Sequence, residues 1–142
     1  MRVAELRVKD FRILEDVALE GGVGFNLLLG GNGAGKTSLL EAMYVAGRGQ
    51  SFRHREVRPW IREGARSALV YVRTRGRDGY EHRIGLEQGR GGRLVRVDGK
   101  ELRRRSVLAK AFPLQLITPS SHELIEKGPG HRRRFLDWGL FH

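Results

Sequence analysis

The sequence predicts an α/β fold, because three features occur in the order that such a fold requires. A short uncharged apolar segment, residues 25–29, is followed at once by a glycine-rich loop and then by an amphipathic helical pattern that begins at Lys36. Alternating apolar and polar residues from about 66 to 98, broken by turn residues, add an antiparallel β-meander. With 142 residues, 39% of them hydrophobic, the chain can form one core of ordinary size.

The first half of the chain contains two predicted strands, a third buried strand and a helix. Apolar and charged residues alternate over residues 4–9, which is the pattern of a half-buried strand, and the apolar positions of residues 13–19 repeat it. Residues 25–29 carry no charge and predict a strand buried on both faces in the middle of a sheet. From Lys36 the apolar spacing becomes helical, and Gly47 and Gly49 supply the stop signal.

The second half begins with the meander. Its alternating runs cover residues 68–75, 80–87 and 94–98; Asp78-Gly79 is a two-residue hairpin signal between the first two, and Gly89 to Gly92 joins the next pair. Asp98-Gly99 turns the chain again.

The remaining residues predict three helices and a strand, and one of the helices is a short one that Ser120 and Ser121 could cap and that runs through Glu126. Residues 101–112 have helical composition, and Leu114 to Ile117 predict a second buried strand that Thr118-Pro119 closes. Residues 131–142 predict a helix with no stop signal before the last residue. We therefore expect the sequence to be truncated within a domain whose remainder is missing.

Positive charge is concentrated in the later part of the chain. The sequence has 27 basic and 16 acidic residues, a net charge of +11; residues 1–50 hold 6 of each, and residues 51–142 hold 21 basic and 10 acidic residues. This balance favours polyanionic partners such as nucleic acid or nucleotides. The triplets Arg103–Arg105 and Arg132–Arg134 are candidate DNA contacts, with pairing to nearby acidic residues as the alternative.

Composition also excludes several classes of protein. There is no Cys, which excludes a disulfide scaffold and any thiolate metal site or nucleophile. The longest uncharged apolar run, residues 23–29, is far shorter than the roughly 20 residues that a membrane span needs, and the N-terminus lacks the pattern of a signal peptide. We expect a cytoplasmic protein with no membrane partner.

Residues 30–37, GGNGAGKT, match G-x-x-x-x-G-K-[ST] at every fixed position and lie between a predicted strand and a predicted helix. In such a loop the glycines let backbone N–H groups surround a β-phosphate, and the helix N-terminus adds further donors. Lys36 would neutralise the β- and γ-phosphates, Thr37 would bind Mg²⁺, and Ser38 would contact the α-phosphate. The candidate nucleotide-binding residues of this segment are Gly30, Gly31, Asn32, Gly33, Ala34, Gly35, Lys36, Thr37 and Ser38.

The motif and its surroundings resemble known ATPase families. Residues 31–38 resemble the G-x-N-G-x-G-K-[ST]-[ST] loop of ATP-binding-cassette (ABC) and SMC-type ATPases, and Asp10-Phe11-Arg12 is similar to the N-F-R element of the SMC and Rad50 branch. Five further segments resemble the RecF family: residues 24–26, 39–42, 97–99, 115–119 and 132–139. The resemblance implies that residues 1–142 are the N-terminal lobe of an ABC/SMC-type P-loop ATPase head.

The same resemblance implies a function. RecF-like proteins bind ATP with Mg²⁺, form an ATP-dependent homodimer and bind DNA at gaps and single-strand/double-strand junctions, where they help RecO and RecR load RecA during recombinational repair. By this resemblance Arg12 would lie beside the α-phosphate or the adenine. Gln115 is a candidate for sensing Mg²⁺ and the γ-phosphate, with a polar strand end as the alternative.

The chain departs from the family pattern in two motifs. It contains no L-S-x-G-type signature and no apolar run that ends in Asp-Glu, the elements that cap the γ-phosphate and activate water. The family is a weak DNA-dependent ATPase, but we expect no hydrolysis by this chain alone, and its catalytic residues are unknown. Two alternatives stay open: another P-loop protein, such as a transporter-type cassette or a small-molecule kinase, and a DNA-binding module with a silent P-loop.

Overall fold

The computed structural model describes residues 1–53, 60–102 and 106–118, and in these residues one antiparallel sheet packs against two helices. The strands lie in the spatial order β2-β1-β3-β4-β5-β6, and every neighbouring pair is antiparallel. The elements are β1 (Arg2–Phe11), β2 (Leu14–Glu20), α1 (Lys36–Arg48), β3 (Ser67–Arg75), β4 (Glu81–Gly89), β5 (Gly92–Val97), β6 (Lys100–Glu101) and α2 (Ser106–Ala111). The α/β class is thus confirmed.

The core lies between the inner face of the sheet and the two helices. Alternation in β1 buries Ala4, Leu6 and Val8, as the sequence predicts, and the inner positions of β3 and β4 continue the same layer. The helix predicted from Lys36 is also confirmed, and it ends where Gly49 adopts a left-handed conformation and donates its N–H to the carbonyl of Val45. The largest fully buried side chains include Trp60, Phe11, Ile84, Leu86 and Leu108.

The predicted meander is confirmed, with one different turn. Asp98 and Gly99 have φ angles of 51° and 79° and join β5 to β6, as expected of an Asp-Gly hairpin. Asp78-Gly79, in contrast, lies inside a five-residue connection, residues 76–80, so a two-residue turn was wrong there. Gly76 donates its N–H to the carbonyl of Tyr80, and this bond closes the longer loop.

Residues 25–29 do not form the predicted buried strand. The segment has no strand partner among the described residues, and Phe25, Leu27 and Leu29 are exposed, while Leu28 packs against the core. A central strand needs a neighbour on each side; both sides of β1 are taken by β2 and β3, and no other described strand pairs with this segment.

The second predicted buried strand, Leu114 to Ile117, is also wrong. Residues 113–118 pair with no other strand of the part of the chain that the structure describes, and Ile117 is exposed. Leu114 packs against the core at Gly47 of α1. The helix predicted over 101–112 is shorter, since the Asp98-Gly99 turn places Glu101 in β6. The triplets at 103–105 and 132–134 and the helix predicted over 131–142 lie outside the described residues.

Candidate nucleotide-binding site

The phosphate loop leads directly into α1. Gly33 and Gly35 have φ angles of 81° and 90°, a left-handed conformation that favours glycine. The first intrahelical bond runs from the N–H of Leu39 to the carbonyl of Gly35, and no side chain of the described residues caps the helix. The N–H groups of residues 36–38 therefore have no intrahelical acceptor, and the helix dipole makes this end favourable for an anion.

Gly35 also packs closely against the turn between β1 and β2. A Cβ atom on Gly35 would lie 2.7 Å from Cδ2 of Leu14 and 3.5 Å from Cδ1 of Ile13. A Cβ atom on Gly31 or Gly33 would meet nothing within 4 Å. The loop is thus tight on the side of the turn and open on the side of Gly31 and Gly33.

Lys36 spans the loop. Its Nζ donates to the carbonyl oxygen of Gly30 at 2.7 Å and to that of Gly31 at 2.6 Å. An ammonium group has three N–H donors, so one remains for a bound anion. The lysine charge is therefore held at the loop, beside the N-terminus of α1.

The other loop residues differ in accessibility. Residues 31–34 and Thr37 are exposed, whereas Ser38 is buried at the first turn of α1. The exposed Thr37 hydroxyl is the type of hard oxygen ligand that Mg²⁺ accepts. The described residues contain no group of three or more His, Asp or Glu side chains that could hold a metal ion. A Mg²⁺ ion here would therefore take most of its oxygen ligands from phosphates and water.

Arg12 forms an ion pair with Glu41, which sequence reasoning missed. Arg12 Nη2 and Nε donate to Oε1 and Oε2 of Glu41 at 2.6 Å and 3.1 Å. The Glu41 side chain is fully buried on α1, and it also accepts a hydrogen bond from Ser51 Oγ at 2.5 Å. Arg53 Nη1 lies 3.7 Å from Oε2 of the same carboxylate. One signal in the sequence is that Glu41 follows Thr37 by four residues, one helical turn.

Gln115 lies away from the phosphate loop. It is exposed and follows Leu114, whose side chain packs at Gly47. Gly47 is ten residues along α1 from Thr37, about 15 Å at the rise of an α-helix. The structure does not bring Gln115 beside Thr37, and its role as a sensor of Mg²⁺ stays a prediction.

The outer face of the sheet carries paired charges. Arg73 contacts Glu5 and Glu81, each at 3.1 Å, and Arg75 also contacts Glu81. Hydrogen bonds from Arg7 and Arg73 hold the pKa of Glu5 below its usual value. These arginines are thus engaged within the sheet, and the two triplets proposed for DNA lie outside the described residues.

No helix in the described ranges is both long enough and apolar enough to cross a membrane.

Comparison with known proteins identifies the family. A family profile described as "AAA domain" matches residues 5–126. Curated relatives include the DNA replication and repair proteins RecF of Shewanella amazonensis and Cronobacter sakazakii, which are 42% and 43% identical over 143 residues. Those matches cover 100% of this chain but only 39% and 40% of the relatives, so the chain spans about two fifths of their length.

Solved structures agree with the sequence matches. A structure of "the recombination mediator protein RecF-ATPrS in RecFOR pathway" superposes with a TM-score of 0.88 at 30% identity, covering 98% of this chain and 38% of that one. The corresponding RecF-ATP structure superposes with a TM-score of 0.85 at 31% identity, covering 96% of this chain and 37% of that one. The chain therefore belongs to the AAA domain family, and in sequence and fold it corresponds to the N-terminal part of RecF proteins.

Proposed function

We propose that the protein binds ATP at the phosphate loop and acts in DNA replication and recombinational repair as RecF proteins do. The observation that carries the proposal is the position of Lys36, whose Nζ is bonded to two loop carbonyls beside the uncapped N-terminus of α1. ATP is favoured over other anions because the chain superposes on a RecF-ATP structure with a TM-score of 0.85.

Mg²⁺ is proposed to accompany ATP, with Thr37 as its protein ligand. The exposed hydroxyl at the first turn of α1 fits this role, and the ion would join the nucleotide phosphates to the protein. Ser38 would act at the α-phosphate. Gln115 follows Leu114, which packs near the far end of α1, and its contribution to the metal site stays a prediction.

The proposed partners follow from the relatives. They are DNA, including gapped DNA and strand junctions, a second copy of the protein in the presence of ATP, and RecO and RecR, in the cytoplasm. The whole-chain match to RecF sequences and the basic composition support this set over a transporter cassette or a small-molecule kinase. Because residues 1–142 contain neither the L-S-x-G signature nor an Asp-Glu pair after an apolar run, we propose that this chain alone does not hydrolyse ATP.

The test is ATP binding by wild-type protein, Lys36→Ala and a control, Lys9→Ala, in isothermal titration calorimetry with Mg²⁺. Lys9 is an exposed lysine of β1, so the control removes the same charge elsewhere. Lys36→Ala is expected to weaken binding at least about 100-fold, because charge-assisted hydrogen bonds to phosphate are lost. Lys9→Ala should bind like wild type. Equal affinity of Lys36→Ala and wild type would refute the proposal.

A further inference from the structure

We infer that Glu41 is a positioning residue for the nucleotide site: it holds Arg12 beside the first turn of α1 and connects the site to residues 51–53. This inference rests on the proposed ATP-binding function. Glu41 is fully buried, so it does not contact ligand itself and acts through its partners.

Glu41 lies one helical turn after Thr37 on α1. Thr37 and Glu41 are four residues apart, so their side chains lie on one face of the helix, with Cβ atoms about 5–6 Å apart. Arg12 pairs with both carboxylate oxygens of Glu41 and keeps only 13% of its side chain exposed. The ion pair therefore places a guanidinium one helical turn from the proposed metal ligand.

Arg12 is connected to the phosphate loop through the turn between β1 and β2. Arg12 has a φ angle of 56°, which is unusual for a residue with a side chain, and its N–H donates to the carbonyl of Trp60 at 2.8 Å. The next two residues, Ile13 and Leu14, are those that pack on Gly35. The bond to Glu41 thus fixes the turn that forms the tight wall of the loop.

The Glu41 carboxylate is surrounded by positively charged side chains. Two guanidinium groups, Arg12 and Arg53, share the Glu41 carboxylate, and the third contact comes from the neutral hydroxyl of Ser51. Arg12 is close and nearly buried, whereas Arg53 is 3.7 Å away with 42% of its side chain exposed. A buried carboxylate requires such partners. Counted over the described residues, these groups retain one positive charge, which favours an anion beside the loop.

The experiment is a double-mutant cycle on ATP affinity with Arg12→Gln, Glu41→Gln and the double variant. Each single variant should bind ATP about tenfold more weakly, the effect of one charge-assisted hydrogen bond. The double variant should also lose about tenfold rather than a hundredfold, because both residues act through one interaction. Glu5→Gln, which breaks the ion pair to Arg73 on the outer face of the sheet, is the matched control and should change affinity less than twofold.

Circular dichroism and urea unfolding of every variant separate positioning from stability. If folded Arg12→Gln and Glu41→Gln bind ATP like wild type, and only their unfolding midpoints fall, Glu41 is merely structural and the inference is overturned. Should Glu41→Gln not fold, Ser51→Ala and Arg12→Gln replace it, and unchanged affinity in both overturns the inference. If the inference about Glu41 is overturned but Lys36→Ala still weakens ATP binding, the proposed function remains intact. If wild-type protein does not bind ATP, the proposed function and the inference are both refuted.

Discussion

Replacing Gly35 by Ala should destabilise the protein more than replacing Gly33, although both glycines have left-handed φ angles in the same loop. The φ angles are 90° and 81°, so the backbone strain that a Cβ atom introduces is similar at the two positions. Their surroundings differ, because the new Cβ would meet Leu14 at 2.7 Å in one case and nothing within 4 Å in the other.

The magnitudes follow from these two contributions. A residue with a Cβ atom in the left-handed region costs about 1–2 kcal/mol, which is the whole effect expected for Gly33→Ala. At Gly35 the Leu14 side chain must move within a buried site, and overpacking of this kind costs about 1–3 kcal/mol more. The free energy of unfolding should therefore fall by about 2–5 kcal/mol in Gly35→Ala.

Urea unfolding measured by circular dichroism tests the difference directly, and equal urea dependence of the variants would show that their unfolded states are comparable. The comparison of Leu14→Ala with the double variant Leu14→Ala/Gly35→Ala isolates the packing contribution. In the Leu14→Ala background, Gly35→Ala should lower the free energy of unfolding only by the backbone contribution. A loss of stability in Gly35→Ala no greater than that in Gly33→Ala would refute this prediction, since the contact between the turn and the loop would then contribute no energy.

Two further predictions concern pH and salt. Burial alone would raise the pKa of Asp98, but hydrogen bonds from the Arg83 N–H and the His82 ring outweigh burial and lower the pKa. Asp98 should therefore stabilise the fold above about pH 4 and lose that contribution below it. On acidification the urea midpoint of Asp98→Asn should change less than that of wild type, and equal changes in the two midpoints would contradict this prediction. For duplex DNA, log affinity should fall linearly with log salt, and replacing Arg103–Arg105 by Gln should reduce the slope by about one per lost phosphate contact. Lys9→Gln should leave the slope unchanged, and a slope near zero for wild type would contradict the DNA prediction.

Features encoded in a few neighbouring residues could be predicted from the sequence. Asp98-Gly99 forms its turn because both residues tolerate positive φ angles, and the alternation in β1 and β3 to β5 places the strands correctly. The phosphate loop is equally local, because its donors are backbone N–H groups and the Lys36 side chain within a stretch of eight residues. These features need no knowledge of distant contacts.

The two predicted buried strands, residues 25–29 and 114–117, did not form. The apolar residues of 25–29 and 114–117 indicate a preference for burial, but a strand also requires neighbours to satisfy its N–H and C=O groups. In the described residues the sheet has the order β2-β1-β3-β4-β5-β6, and neither segment pairs with any of its strands. A hydrophobic pattern indicates that burial of a segment is favourable, but it does not indicate whether a partner strand is available.

Glu41 shows why the rest of the site could not be predicted. In the sequence it is an acidic residue of an amphipathic helix, where an exposed position is the ordinary expectation. Its partners Arg12 and Ser51 are 29 and 10 residues away, so only the folded chain brings them to one carboxylate. The motif therefore predicts the phosphate-binding loop, whereas the contacts of that loop with the β1–β2 turn, and of the turn with Glu41, are tertiary contacts that the motif does not contain. A P-loop sequence with a different residue at position 41 could keep the phosphate-binding atoms and still differ in affinity.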